Sequence, residues 1–326
     1  MHIFFGTGVR AVADASVGTY FINSEQVGDY VTVTMPVPEG SGEAAEQIRV
    51  HYLEAGVGEP LLLVHGIGQS LYTWRNVFAE LSENYRVLAI DLPGHGYSSR
   101  PERFAYSMDE MAALLRGFLQ EKGVASAHMI GFSTGAVYLM RLLTLYPEMV
   151  ANCIAIAPGG ISKHMPKLFH RMKNSISAVF SRNLYSAGDV RRMLNECVVD
   201  QSVITERDVK QYYGPVADGL TREALMYAVV NFDMKGTADA LRESDHEILC
   251  VWGNEDRYHP ASGSVYFQKV LQYGRYYLVK NAGHLLHEEK PDKFLEIVFS
   301  YIPPATPSYD VYNYTEALQG DGDVNA

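Results

Sequence analysis

Cysteine is scarce in this chain of 326 residues. Its three cysteines, Cys153, Cys197 and Cys250, are odd in number and offer no plausible disulfide framework. Cys153 and Cys250 lie within apolar, strand-like runs, so we expect both to be buried free thiols. A fold held together by disulfide bonds is therefore excluded.

The chain also has fewer positive than negative side chains, and it lacks long apolar runs. The formal net charge is −11 and the pI is about 5.5, which argues against a nucleic-acid partner. No apolar run reaches the length that spans a membrane. The apolar patch at the N-terminus is broken by Gly6 and Gly8 and follows no charged region, so it makes a poor signal peptide. We expect a cytoplasmic protein, with secretion as the lesser alternative.

What the chain does contain is a regular alternation of strand and helix patterns. Continuous apolar runs, typical of strands buried on both faces, lie at residues 61–64, 86–90 and 153–157. Helical patterns separate them at about Thr73–Leu81 and Ser107–Lys122, and Ser107 is a candidate cap of the second helix. The order predicts an α/β fold, with a mostly parallel central sheet flanked by helices.

A change of pattern divides the chain. Between about Gly159 and Glu243 only helical patterns occur, and strand patterns then return at residues 248–252 and 276–279. A last helix is predicted at about Pro291–Tyr301. We expect an N-terminal extension (1–26), a first part of the core (27–159), an inserted helical cap (160–240), a second part of the core (241–302) and a disordered tail (303–326).

The stretch Ala127–Arg141 combines a strand, a sharp turn and a helix. The turn carries G-x-S-x-G, with Ser133 between Gly131 and Gly135. Such a nucleophile elbow lifts a serine hydroxyl clear of the sheet in a strained backbone conformation. Any side chain at either glycine would collide where strand and helix nearly touch. Ser133 is therefore a candidate nucleophile.

Further motifs follow in a characteristic order. They are His65-Gly66 after an early strand, the D-x-P-G-x-G-x-S turn at Asp91–Ser98, Gly253–Asp256, and Ala282-Gly283-His284. Together with the elbow they make the chain resemble the capped α/β-hydrolases over roughly Tyr52–Tyr301. Phe132 and Ala136 stand where many members have His and Gly, and neither change removes a reacting group.

The types and order of three side chains point to the same chemistry. A serine hydroxyl needs a base to take its proton, and the base needs an acid to hold its tautomer. Ser133, Asp256 and His284 follow one another in the α/β-hydrolase order, each just past a predicted parallel strand. We expect the backbone N–H groups of Ile67 and Thr134 to form the oxyanion hole.

Alternatives stay open for two of these roles. Glu255 competes with Asp256 as the acid, although the spacing from the preceding glycine favours Asp256. His287 competes with His284 as the base, although the loop-forming glycine before it favours His284.

Other polar residues near these motifs have expected structural roles. We expect His65 to be a hydrogen-bonding group of the oxyanion loop, and His95 and Asp91 to stabilise their turn. A metal site is suggested superficially by the group His284, His287, Glu288 and Glu289. No third ligand cluster accompanies this group, which argues against a metal. We expect neither a metal nor a cofactor.

Within the expected cap, apolar residues recur at helical spacing and basic residues lie on the opposite face. The apolar set is Met165, Leu168, Phe169, Met172, Ile176, Val179 and Phe180, and the basic set is Lys163, Lys167, Arg171 and Lys173. We favour a lid helix that roofs the pocket, and weak contact with a membrane or lipid is the alternative. The wealth of Met, Phe and Tyr in this region predicts a small-molecule substrate with an apolar acyl or alcohol portion.

The leading hypothesis is a serine hydrolase that cleaves an ester-type bond through an acyl-enzyme, as a carboxylesterase, lipase-like enzyme, thioesterase or lactonase does. The alternative is hydrolysis of a C–C bond in diketone products of ring cleavage, which uses the same triad. A ligand-binding, receptor-like protein with little turnover is a third and less favoured hypothesis. The sequence predicts no particular oligomeric state.

Overall fold

The computed structural model describes residues 28–36, 44–160 and 186–304. The predicted N-terminal extension, nearly all of the predicted tail (305–326) and the apolar and basic residues at 163–180 lie outside these ranges. Within the described ranges no helix combines the length and apolar character that a membrane crossing requires.

One sheet organises the described residues, and its eight strands lie in the order β1-β2-β4-β3-β5-β6-β7-β8. β1 and β2 run antiparallel to their neighbours, and β3 to β8 pair in parallel. The strands are β1 Asp29–Thr34, β2 Gln47–Ala55, β3 Pro60–Val64, β4 Arg86–Ile90, β5 Ala127–Phe132, β6 Val150–Ile156, β7 Ile248–Gly253 and β8 Gly274–Val279. The predicted α/β fold with a mostly parallel sheet is confirmed.

Helices follow the strands along the chain. They are α1 Phe78–Ser82, α2 Met108–Glu121, α3 Thr134–Leu145, α4 Ala187–Glu196, α5 Glu206–Ala217, α6 Gly219–Val230, α7 Lys235–Leu241, α8 Ser264–Val270, α9 Leu286–Glu289 and α10 Pro291–Tyr301. Ser107 caps α2 as predicted, since its hydroxyl accepts the backbone N–H of Glu110 while the Glu110 carboxylate accepts the Ser107 N–H. The predicted range of α10 is confirmed.

The helix predicted at Thr73–Leu81 is wrong in extent. The chain forms a 3-10 turn at Leu71–Trp74, breaks, and resumes as the short helix α1. At the break, Arg75 donates from Nη1 to Glu288 Oε2 at 2.5 Å, and Asn76 donates from Nδ2 to the Glu288 carbonyl oxygen at 3.0 Å. These bonds to a distant segment override the local helical pattern.

The core matches the apolar runs of the sequence. The strand side chains at residues 61–64 and 87–90 are completely buried, as expected for strands covered on both faces. Cys153 and Cys250 are buried free thiols, as predicted, and Cys197 is buried as well.

Helices α4 to α7, here called the inserted helices, lie between β6 and β7 in the chain. A buried charged cluster ties them to the core. Arg75 donates from Nε to Asp208 Oδ1 of α5 at 3.0 Å and from Nη1 to Glu288 of α9. The Tyr72 hydroxyl donates to Asp208 at 2.7 Å, and the Tyr212 hydroxyl of α5 donates to Glu288. One guanidinium thus joins an inserted helix to the segment that follows β8.

We predict that Arg75→Met lowers the free energy of unfolding by about 3 kcal/mol, because the two buried carboxylates lose their cation. Urea unfolding followed by circular dichroism measures the loss. Arg242→Met is the matched control: Arg242 pairs with Asp239 on an exposed helix surface, so its removal should leave the unfolding curve unchanged. An Arg75→Met protein as stable as the wild type would contradict the cluster's role.

Candidate active site

Ser133 occupies a strained turn between β5 and α3. Its φ is 53° and its ψ is −116°, a combination that a side chain with Cβ rarely adopts. The Ser133 N–H donates to the Ile156 carbonyl at 2.8 Å, and the Ser133 carbonyl accepts the Gly159 N–H at 3.2 Å. Neighbouring strand β6 and the loop after it therefore hold the residue in this conformation.

The glycines beside Ser133 lie where backbones nearly touch. A Cβ at Gly131 would lie 2.5 Å from the Ala136 Cα, and a Cβ at Gly135 would lie 2.3 Å from the His65 carbonyl oxygen. Both distances are far shorter than any real carbon contact, so neither position accepts a side chain without moving the backbone.

His284 and Asp256 form a buried pair beyond the ends of β8 and β7. His284 Nδ1 lies 2.7 Å from Asp256 Oδ2, and the carboxylate fixes this nitrogen as the protonated one. Asp256 Oδ1 accepts the backbone N–H groups of Tyr258 and His259, each at 2.8 Å. The competing acid Glu255 is exposed. Asp256 is thus the carboxylate that the fold brings to His284.

The competing base His287 points elsewhere. Its Nε2 lies 2.8 Å from the Thr73 hydroxyl, which in turn donates to Glu288 Oε1 at 2.6 Å. His287 is completely buried, and burial lowers its pKa well below the ordinary value. His287 packs in the core next to the site, with its ring against the ring of Phe132.

Ser133 and His284 line one cavity, together with Ile67 and Thr134. In the part of the chain that the structure describes, the Ser133 hydroxyl and His284 do not form a hydrogen bond with each other. Such bonds are often long in ligand-free enzymes and shorten when substrate binds.

The loop after β3 lies against the nucleophile. A Cβ at Gly66 would lie 3.1 Å from the Ser133 Cβ. His65 anchors this loop, because its Nε2 accepts the Leu92 N–H at 3.0 Å and its Nδ1 donates to the Gly66 carbonyl at 2.7 Å. Both ring nitrogens are occupied and burial lowers the His65 pKa, so this imidazole is neutral.

Thr134 and Ile67, whose backbone N–H groups are the predicted oxyanion donors, both line the cavity beside Ser133. Thr134 is the first residue of α3, so its N–H has no acceptor within the helix. The Gly66 N–H is already bound to Gln69 Oε1 at 3.2 Å, which leaves the next N–H of the loop, that of Ile67, for a ligand.

Asp91 organises the turn after β4. Its carboxylate accepts His51 Nδ1 at 2.8 Å, the Leu71 N–H at 2.7 Å and the Tyr97 N–H at 2.9 Å. Burial alone would raise the Asp91 pKa, but the hydrogen bond and charge of His51 outweigh it and the pKa is lowered. His95 donates from Nδ1 to the Pro93 carbonyl at 2.9 Å in the same turn.

Sequence reasoning missed the role of Glu289. Its Oε1 accepts the N–H groups of Val199 and Asp200, at 2.9 and 2.8 Å, and its Oε2 accepts the Gly283 N–H at 2.8 Å. One buried carboxylate therefore connects the segment after α4 to the residue before His284. The only signal in the sequence was a carboxylate shortly after that histidine.

The cavity beside Ser133 is mainly apolar. Its volume is about 800 Å³ when the space open to solvent is included. Polar side chains at its wall are few, Gln69, Tyr258 and His259 among them, and no Lys or Arg occurs among the described residues that line it. The apolar part of the wall includes Phe132, Met193, Leu194, Val229, Phe232 and Leu285.

Comparison with known proteins agrees with this geometry. A family-wide sequence profile described as alpha/beta hydrolase fold matches residues 59–291, well over half of the chain. The chain belongs to the α/β-hydrolase family.

Among curated relatives, this α/β-hydrolase is 25% identical over 285 residues to 2-hydroxymuconate semialdehyde hydrolase of Pseudomonas sp. (strain CF600), covering 83% of this chain and 98% of the relative. It is 26% identical over 254 residues to an uncharacterised hydrolase of Bacillus subtilis (strain 168), covering 77% and 92%.

Solved structures share the fold. A variant of the meta-cleavage product hydrolase from Pseudomonas fluorescens IP01 has a TM-score of 0.69 at 21% identity, covering 83% of this chain and 96% of that one. Naproxen esterase from Bacillus subtilis has a TM-score of 0.65 at 21% identity, covering 89% and 99%. The proteins that share this fold thus include an esterase and a meta-cleavage product hydrolase.

We predict that the α/β-hydrolase loses stability steeply as the pH falls below about 6.5, the ordinary pKa of histidine. Burial lowers the pKa of His65, of His287 and, to about 3, of His95. At pH values between the lowered and the ordinary pKa, these histidines bind protons in the unfolded chain but not in the folded chain. The free energy of unfolding therefore rises with pH in this window. Each histidine contributes up to about 1.4 kcal/mol per pH unit.

Guanidinium unfolding at several pH values between about 7.5 and 5 measures this slope. The pKa of Asp91 is lowered from its ordinary value of about 4, so this carboxylate stays charged across the range and does not contribute to the slope. His95→Gln should reduce the slope by the contribution of about one proton, which is about 1.4 kcal/mol per pH unit. A slope that is unchanged in this variant would contradict the neutral state of His95.

Proposed function

We propose that this α/β-hydrolase is a serine enzyme that cleaves an ester-type bond. The observation that carries the proposal is the His284–Asp256 pair at the wall of the cavity that contains the strained Ser133. His284 Nε2 takes the Ser133 proton as the hydroxyl attacks the carbonyl carbon, and later returns it to the leaving alcohol. Asp256 orients the imidazole and stabilises its charged form. Water then releases the acyl group by the same route.

We assign to the Ile67 and Thr134 N–H groups the role of donating hydrogen bonds to the negative oxygen that forms during attack. Both residues line the cavity, and the anchored loop after β3 brings one donor opposite the start of α3. His65 and Gly66 support the first donor, while Gly131 and Gly135 permit the turn that presents the second. Removing a donor of this kind costs about 3 kcal/mol of transition-state stabilisation.

The cavity wall supports an uncharged, largely apolar substrate. Its described lining offers apolar side chains and no cation to balance a substrate carboxylate. The inserted helices supply Met193, Leu194 and Val229, and Phe232 lies between α6 and α7, so we assign to these helices the role of a cap over the site. We also propose a cytoplasmic location, which suits a chain with three free thiols.

C–C bond hydrolysis is the second candidate function. It is supported by curated relatives such as 2-hydroxymuconate semialdehyde hydrolase and by 2-hydroxy-6-oxo-6-phenylhexa-2,4-dienoate hydrolase of Burkholderia cepacia, which is 26% identical over 270 residues. The same serine, histidine and aspartate can serve this reaction. The dienoate named for the latter relative carries a carboxylate, which the described cavity wall does not balance with a cation.

We predict that Ser133→Ala abolishes labelling by a fluorophosphonate and lowers kcat/KM for p-nitrophenyl esters by at least about 10⁴-fold. Asp256→Asn should cost about 10⁴-fold, because the amide no longer holds the required tautomer. Ser262→Ala, at an exposed serine outside the cavity, is the matched control and should keep full labelling. Absence of labelling in folded wild-type protein would favour the receptor-like alternative instead.

A second prediction separates the two hydrolytic functions. Apolar p-nitrophenyl esters and a carboxylate-bearing ring-cleavage product are assayed side by side on the wild type. We expect kcat/KM for the best ester to exceed that for the ring-cleavage product by about 100-fold or more, because the described residues of the cavity wall offer no cation to a buried carboxylate. The reverse preference, lost in Ser133→Ala, would overturn the ester assignment and keep the triad.

A further inference from the structure

Gln69 is a polar residue of the cavity wall that the proposed mechanism leaves without a role. It lies in the loop after β3, three residues beyond Gly66, and is partly buried. Its Oε1 accepts the Gly66 N–H at 3.2 Å. The side chain is therefore held against the loop that carries the Ile67 donor.

This hydrogen bond fixes the orientation of the Gln69 amide. A backbone N–H can bond only to an acceptor, and the amide nitrogen is a donor, so Oε1 must face Gly66. Nε2 then lies on the other side of the amide with its two hydrogens. Across the ranges that the structure describes, Nε2 donates no hydrogen bond to another protein group.

Gln69 is close to the nucleophile. A Cβ built at Gly66 would lie 3.1 Å from the Ser133 Cβ and 3.2 Å from Gln69 Oε1. The side chains of Ser133 and Gln69 therefore border the same small space beside Gly66. A substrate carbonyl bound at Ser133 would therefore bring its neighbouring atoms to the Gln69 amide.

We propose that Gln69 determines specificity by donating a hydrogen bond from Nε2 to a second acceptor oxygen of the substrate. The expected substrates are esters with an ether, keto or second carbonyl oxygen close to the scissile carbonyl. The inference rests on the proposed function and refines its substrate class. A donor placed in a mainly apolar cavity rejects an analogue that offers only methylene groups, because the donor then loses its water without gaining a partner.

Two pairs of esters of nearly equal shape test this. p-Nitrophenyl methoxyacetate and p-nitrophenyl butanoate differ by one ether oxygen on the acyl side. 2-Methoxyethyl butanoate and butyl butanoate differ by one ether oxygen on the alcohol side. The ratio of kcat/KM within each pair is compared between wild type and variants, so that intrinsic reactivity and any uniform loss of rate cancel.

Two variants separate support of the loop from contact with the substrate. Gln69→Glu keeps an acceptor for the Gly66 N–H and removes the donor, whereas Gln69→Met removes both. We expect the preference for the ether ester to fall about five- to tenfold in both variants for at least one pair. Gln69→Met should also slow every ester. Gln272→Met, which makes the same change at an exposed glutamine, should leave the ratios unchanged.

Fluorophosphonate labelling of the wild type and every variant distinguishes failure of the Gln69 proposal from failure of the proposed function. Labelled, folded variants whose ratios equal those of the wild type in both pairs would overturn the role of Gln69 and leave the serine mechanism intact. A wild type that is folded but not labelled would overturn the proposed function.

Discussion

The near-contact of three backbone segments around Ser133 is the constraint on which the site depends. β5, the start of α3 and the end of β3 approach so closely that a Cβ at Gly135 would lie 2.3 Å from the His65 carbonyl oxygen. This approach forces the positive φ of Ser133 and raises its side chain above the sheet. It also sets the Thr134 N–H opposite the loop that carries Ile67. The proposed nucleophile and the proposed oxyanion donors thus follow from one packing arrangement.

Buried carboxylates play the corresponding role between the core and the inserted helices. Glu288 and Glu289 are adjacent, yet Glu288 binds Arg75 and Tyr212 while Glu289 binds the segment after α4 and the Gly283 N–H. Charged groups out of water contribute little net stability compared with apolar packing, but they tolerate few alternative arrangements. We infer that they fix the position of the inserted helices relative to the His284 loop.

Features set by neighbours in sequence could be predicted from the sequence. The Ser107 cap, the strand at residues 86–90 and the close approach of Gly131 to Ala136 all depend on residues a few positions apart. The break after Trp74 could not be predicted, because its cause is Glu288, more than 200 residues away.

The same limit applies to the details of the candidate site. Motif order indicated Ser133, Asp256 and His284, but gave no sign that Gln69 bonds to Gly66 or that Glu289 spans two segments. Single polar residues in loops carry no periodicity, so only the tertiary structure shows what they bind. The 163–180 segment stays a prediction.

The protein contains a second buried histidine–aspartate pair, which shows what the first one needs in order to act. His51 Nδ1 lies 2.8 Å from Asp91 Oδ2, much like the 2.7 Å between His284 and Asp256. His51 is completely buried, and a Cβ at Gly28 would lie 2.1 Å from its Nε2, so backbone covers the nitrogen that a substrate would have to reach. His284 instead lines the cavity. The chemistry of the two pairs is alike, and access from a cavity with a strained serine is what distinguishes a candidate catalytic pair from a structural one.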